Sequence, residues 1–140
     1  MNKKILTLLL LLIAVSTIAI VSAADTQTVG DIEFNIPKGY SYDQESVDIF
    51  MASFEDDANL VDAGVFKNDA DDLLVILVYD DVAETDFPDD YKMENKTINN
   101  KTGTFFSAPS RINIGFTYED GDKFVAIQAM NEDILKETIK

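Results

Sequence analysis

The side chains that could do chemistry in this chain are carboxylates, 26 Asp and Glu among 140 residues. They gather as Glu55–Asp57, Asp69–Asp72, Asp80-Asp81, Asp89-Asp90 and Glu119–Asp122. Adjacent acidic loops can supply the several oxygens that a hard cation such as calcium takes. None of the clusters has the spacing of a helix–loop–helix calcium loop. The best candidate is geometric: a hairpin over Leu60–Tyr79 would bring Asp56 and Asp57 beside Asp80 and Asp81. The plainer account is turn chemistry and solubility, because every cluster falls in a predicted turn or at a strand end. We favour that account, and expect no cofactor unless it is calcium. Two carboxylates could also hydrolyse a glycoside. With so many acids some pair is inevitable, and the chain has no Trp to form a flat platform for a sugar.

Other chemistry is excluded outright. There is no His and no Cys, which removes Ser-His-Asp and Cys-His nucleophilic catalysis, thiol redox chemistry, Cys/His zinc sites and haem ligation by His or Cys. No catalytic residue is expected. Asn95-Lys96-Thr97 and Asn100-Lys101-Thr102 are N-glycosylation sequons, relevant if the chain is exported. Tyr40, Tyr42, Phe105 and Phe106 could line an apolar groove, although aromatics at strand positions usually face a core.

Export is what the first 24 residues indicate. Lys3 and Lys4 precede an apolar run from Ile5, which ends in Val21-Ser22-Ala23-Ala24 before the first acid, Asp25. This is the layout of a secretory signal cleaved after Ala23 or Ala24. An uncleaved anchor is the competing reading, since Ile5–Ala24 is long enough to cross a bilayer. The Ala-rich exit and the missing Lys/Arg flank favour cleavage. With Lys3 and Lys4 removed, 9 basic side chains face 26 acidic ones, a net charge of −17. Such a surface opposes nucleic acid and anionic lipid, which attract Lys and Arg. The expected partner is an extracellular or surface molecule, with membrane contact only through an uncleaved leader.

The elements that must position these groups occupy residues 25–140 as one domain. Asp31–Ile36 alternates, with Ile32, Phe34 and Ile36 on one face, and Pro37-Lys38-Gly39 turns it. Val47–Phe54 suits either a strand or a short helix, and we read a strand. Leu60–Phe66 and Leu73–Tyr79 form a hairpin whose second arm is apolar throughout, so a central strand covered on both faces is expected. Lys92–Ile98 and Gly103–Ala108 pair around Asn99–Thr102. Ile112–Met130 is the strongest hairpin. Placing Asp120-Gly121 at the centre of a type I′ turn sets Phe116 opposite Val125, Ile114 opposite Ile127 and Ile112 opposite Ala129. Asn131 then caps a closing helix with Ile134, Leu135, Thr138 and Ile139 on one side.

The opening D-I-E-F-N-I-P-K-G-Y and the closing hairpin plus helix resemble small exported proteins of unknown function from methanogenic archaea. More faintly, they are similar to the PsbP-like α+β fold. The resemblance implies export and an antiparallel sheet with helices against it, and carries over no catalytic residue. The fold expected is α+β, a single antiparallel sheet of six or seven strands with the C-terminal helix on one face. The function expected is a non-enzymatic extracellular or cell-surface domain that binds a ligand or partner. The alternatives are a carboxylate-based hydrolase and a divalent-cation-dependent adhesion or structural module.

Overall fold

The alternation of Asp31–Ile36 becomes the second arm of a hairpin. In the computed structural model, which describes residues 25–53, 56, 59–81, 90–107 and 114–140, β1 (Asp25–Val29) pairs with β2 (Ile32–Ile36). Gly30 and Asp31 both take positive φ, as a two-residue type I′ turn requires. The leader, Asp57 and Ile112-Asn113 lie outside the described residues.

The other strands form one antiparallel sheet: β3 (Ser41–Tyr42), β4 (Leu60–Lys67), β5 (Leu73–Tyr79), β6 (Lys92–Ile98), β7 (Lys101–Ser107), β8 (Ile114–Asp120) and β9 (Lys123–Ala129). Their order across the sheet is β3-β4-β5-β9-β8-β7-β6. Among the described residues two helices complete the fold, α1 (Gln44–Ser53) and α2 (Glu132–Thr138). The architecture is thus α+β, with a seven-stranded antiparallel sheet and a C-terminal helix, as expected. The expectation of one sheet needs correction, because β1 and β2 pair only with each other and form a separate ribbon.

That ribbon and α2 cover one face. Phe34 and Ile36 from β2, with Leu135 and Ile139 from the C-terminal segment, meet Leu74, Ile76, Val78, Phe116, Val125 and Ile127 in the main core. Each such side chain contributes about 1.5–3 kcal/mol on burial. On the opposite face of β4 and β5, Val65 and Val75 pack with Val47 of α1, flanked by Phe50, Leu73 and Leu77. The unbroken apolar run of β5 therefore has cover on both sides.

Three local expectations change. Residues 47–53 are helix, not strand. The Asp43 carbonyl accepts the first helical bond from Val47 N, and its carboxylate accepts from Ser46 Oγ at 2.6 Å. Val47, Phe50, Met51 and Phe54 fall at i, i+3, i+4 and i+7, a helical stripe; Phe54 is outside the described residues. The β8–β9 register also differs by two. Phe116 lies opposite Ile127 and Ile114 opposite Ala129, with Gly121-Asp122 as the central turn residues. Gly121 has φ +63 while Asp122 is not left-handed, the pattern of a type II′ turn with Gly in its first position. A shift of two keeps the same residues on each face, so the expected core face survives. Finally, β6 and β7 join through Asn99-Asn100 alone, both at positive φ, rather than through a four-residue loop.

α2 is held at both ends. Asn131 Oδ1 accepts from Ile134 N, and at the far end Asn99 Nδ2 donates to the carbonyls of Lys136 and Ile139. Glu132 accepts from Lys96 at 2.8 Å and pairs with Lys136 at 3.2 Å. Hydrogen bonding from Lys96, then from Lys136, holds the Glu132 carboxyl below its ordinary value of 4.5. Because the folded pKa lies below the unfolded one, this stabilisation is present above 4.5 and fades as pH falls through the folded value. Glu132→Gln should therefore melt lower in urea near neutral pH, with the gap to wild type closing in acid. A gap that does not change with pH would show that the carboxylate charge is not what holds α2.

Candidate functional site

The expected calcium candidates are only partly brought together. Asp80 N donates to the carbonyl of Asn59 at 2.9 Å, so the loop after α1 does reach the end of β5. Asp56 is exposed, and Asp57 lies outside the described residues. What stands beside Asp80 and Asp81 is the β8–β9 turn. Glu119, Asp122, Lys123 and Phe124 share with them a shallow depression of about 120 Å³. Lys123 Nζ forms an ion pair with Asp80, and that carboxylate raises the Lys123 pKa. The patch thus carries its own counter-charge. Among the described residues no group of three or more Asp and Glu side chains is close enough to hold a metal ion.

The sequons occupy different settings. Asn95 is exposed midway along β6, at the sheet edge, and Asn100 is exposed in the β6–β7 turn at φ +66. Their threonines face each other across the hairpin, Thr97 Oγ1 and Thr102 Oγ1 being 2.8 Å apart.

The four aromatic candidates separate. Phe105 faces the main core beneath Lys96, whose Nζ lies 4.6 Å from the ring centroid. Phe106 faces the other side, closing over Gly115 where a Cβ would lie 2.0 Å from its ring. Tyr40 and Tyr42 instead border an open depression of about 230 Å³ between the start of β1 and β3, with Asp25, Gln27, Ile36 and Phe66. Tyr42, 48% exposed, stands edge-on to Phe66 with centroids 5.6 Å apart. Behind it lies a second depression of about 220 Å³, lined by Asp43, Lys67, Asn68 and Asp69. There Lys67 pairs with Asp43 at 3.3 Å.

Burial and nearby carboxylates act together on both tyrosines. Partial burial, then Asp72 and Glu137, raise the pKa of Tyr40; partial burial, then Asp62 and Asp48, raise that of Tyr42. Both phenols therefore stay protonated, offering an uncharged ring face and an O–H group. The 230 Å³ lining includes Asp25 and neither Lys nor Arg. Chemically this is a place for a small positively charged group against aromatic faces. Sequence reasoning named both tyrosines but not Phe66, Asp25 or Gln27. The missing link was helix α1, whose capping Asp43 turns the chain after only two residues of β3.

Asp43, hydrogen-bonded by Ser46 and then Lys67, is held below the ordinary carboxylate range, as Glu132 is. A general acid needs the opposite displacement.

Comparison with protein-family models, curated proteins and solved structures finds no match. No helix among the described residues is long and apolar enough to cross a membrane.

Proposed function

We propose that this chain is an exported, non-enzymatic domain that binds a small organic cation in the depression between β1 and β3. The carrying observation is the pair Tyr40 and Tyr42 beside Asp48, Asp62, Asp72 and Glu137; Asp25 on the rim is not counted, because cleavage after Ala23 or Ala24 places the new α-ammonium group beside it. An ammonium group placed against a tyrosine ring gains about 0.5–1 kcal/mol at an exposed site, and more once desolvated. The excess of acid over the whole chain adds long-range attraction for such a ligand. Export is supported by the Lys3-Lys4 leader with its Ala-rich exit, and by the resemblance to exported archaeal proteins.

Tyrosine fluorescence tests this directly, because the chain has five Tyr and no Trp. Titration with tetramethylammonium should give a saturable change that Tyr42→Ala removes and Tyr91→Ala keeps. A small linear response, unaltered by Tyr42→Ala, would mean that the cation only screens the surface.

A further inference from the structure

The two edges of the main sheet are treated differently. At one, β3 is only two residues long and α1 follows it immediately, so the edge is short and partly covered. At the other, β6 runs for seven residues with a continuous register against β7, without a bulge and without Pro. Short length, bulges, Pro and edge charges are the usual devices that stop an edge from pairing with another chain, and of these β6 has only the charges of Lys92, Glu94 and Lys96. Lys96, on the core-facing side of β6, is drawn over Phe105 and onto Glu132, with Glu94 of its own strand 3.8 Å away. Lys92, Met93, Glu94, Asn95 and Thr97 are all exposed, Met93 to 54%.

Hairpin geometry says which backbone groups face out. Ile98 and Lys101 flank the two-residue turn and so form a hydrogen-bonded pair. By alternation Lys96, Glu94 and Lys92 also bond inward to β7. The N–H and C=O groups of Met93, Asn95 and Thr97 therefore point away from the sheet.

We propose that β6 pairs antiparallel with β6 of a second copy about a two-fold axis at Asn95. In that register Met93 lies opposite Thr97 of the other copy, Asn95 opposite Asn95, and every outward N–H and C=O finds a partner. Glu94 then faces Lys96 of the other copy, and Lys96 faces its Glu94. Centring the axis on Glu94 instead sets Glu94 against Glu94 and Lys92 against Lys96. Centring it on Lys96 opposes Lys96 to itself. Centring it on Met93 opposes Lys92 to Glu94 but sets Asn95 and Thr97 against residues 91 and 89, outside β6, so the Asn95 register is the one that is self-complementary in charge and also pairs every outward group within β6, which commits the edge to its own copy rather than to an unrelated peptide. The contact is small and joins two strongly acidic bodies, so the dimer is weak and is favoured by salt that screens their repulsion. Asn95 also begins a sequon. A glycan there would meet its twin on the axis and keep the chain monomeric.

The test is sedimentation velocity of the leaderless chain at rising concentration in sodium chloride, together with cross-linking. Wild type should shift toward dimer at high concentration, and Asn95→Pro, which removes only an outward N–H, should remain monomeric while keeping its circular dichroism spectrum. Cα atoms of a hydrogen-bonded antiparallel pair lie about 5.5 Å apart, within disulfide range. Since the chain has no Cys, N95C should cross-link under mild oxidation far faster than E45C on α1, a readout that stands even if the proline variant unfolds. A wild type that stays monomeric at high concentration and salt, with N95C no faster than E45C, overturns the proposal.

Discussion

Phe116→Ala should lower the unfolding free energy by about 3–5 kcal/mol, a large share of the roughly 5–15 kcal/mol that holds a domain of this kind together. Phe116 is fully buried near the middle of the sheet, opposite Ile127 on one side and Phe105 on the other. Its ring lies 5.5 Å from that of Tyr118. Truncation removes these contacts and leaves a cavity that rigid strands on both sides cannot close. Phe124, half-buried on the opposite face beside Tyr79, should cost only about 1–2 kcal/mol when cut to Ala. Urea melts of the two variants measure the difference. Similar losses would mean that the main core does not lie on the Phe116 face.

Adding one methyl group should be nearly as damaging. A Cβ at Gly103 would lie 1.9 Å from the carbonyl oxygen of Thr117, a backbone atom of the neighbouring strand that no side-chain rotation can move away. Gly103→Ala must therefore push β7 from β8, with a loss of about 1–3 kcal/mol. At Gly115 the obstacle is the Phe106 ring, 2.0 Å from the added carbon. Phe106→Leu would relieve that clash, whereas no single side-chain change relieves Gly103→Ala. The double variant Gly115→Ala/Phe106→Leu melting above Gly115→Ala alone would confirm the distinction.

Much of the fold was legible because alternation and turn residues agree. The arms Leu60–Lys67 and Leu73–Tyr79 pair as their pattern requires, and the apolar run of β5 correctly called for cover on both faces. Asn131 caps α2, whose Leu135 and Thr138 are buried, as is Ile139 just beyond it. Where two local signals competed, the outcome was harder to read. Asp120-Gly121 and Gly121-Asp122 are both acceptable turn centres, and the face pattern cannot separate them because the registers they give differ by two residues. Val47–Phe54 has enough β-branched and aromatic residues for a strand, yet its apolar spacing and the Asp43–Ser46 cap favour helix.

The site was less legible, since it joins residues far apart in the chain. Asp25 and Gln27 reach Tyr42 only because the β1–β2 ribbon folds over the sheet beside β3, and no local pattern encodes that placement. The acidic clusters were easy to see, but their neighbours in space were not. Asp80 pairs with Lys123, a residue of the β8–β9 hairpin that no acidic-cluster count would consider.

The central claim is that an organic cation settles between β1 and β3. The most direct measurement is a two-dimensional amide NMR titration of the leaderless chain with tetramethylammonium, at constant ionic strength. Saturable shifts confined to Gln27, Ser41, Tyr42 and their neighbours, and lost in Tyr42→Ala, are the expected result. Shifts that grow linearly and spread over the acidic turns at Asp69–Asp72 and Asp80-Asp81, with the tyrosine region no more affected than they are, would contradict it.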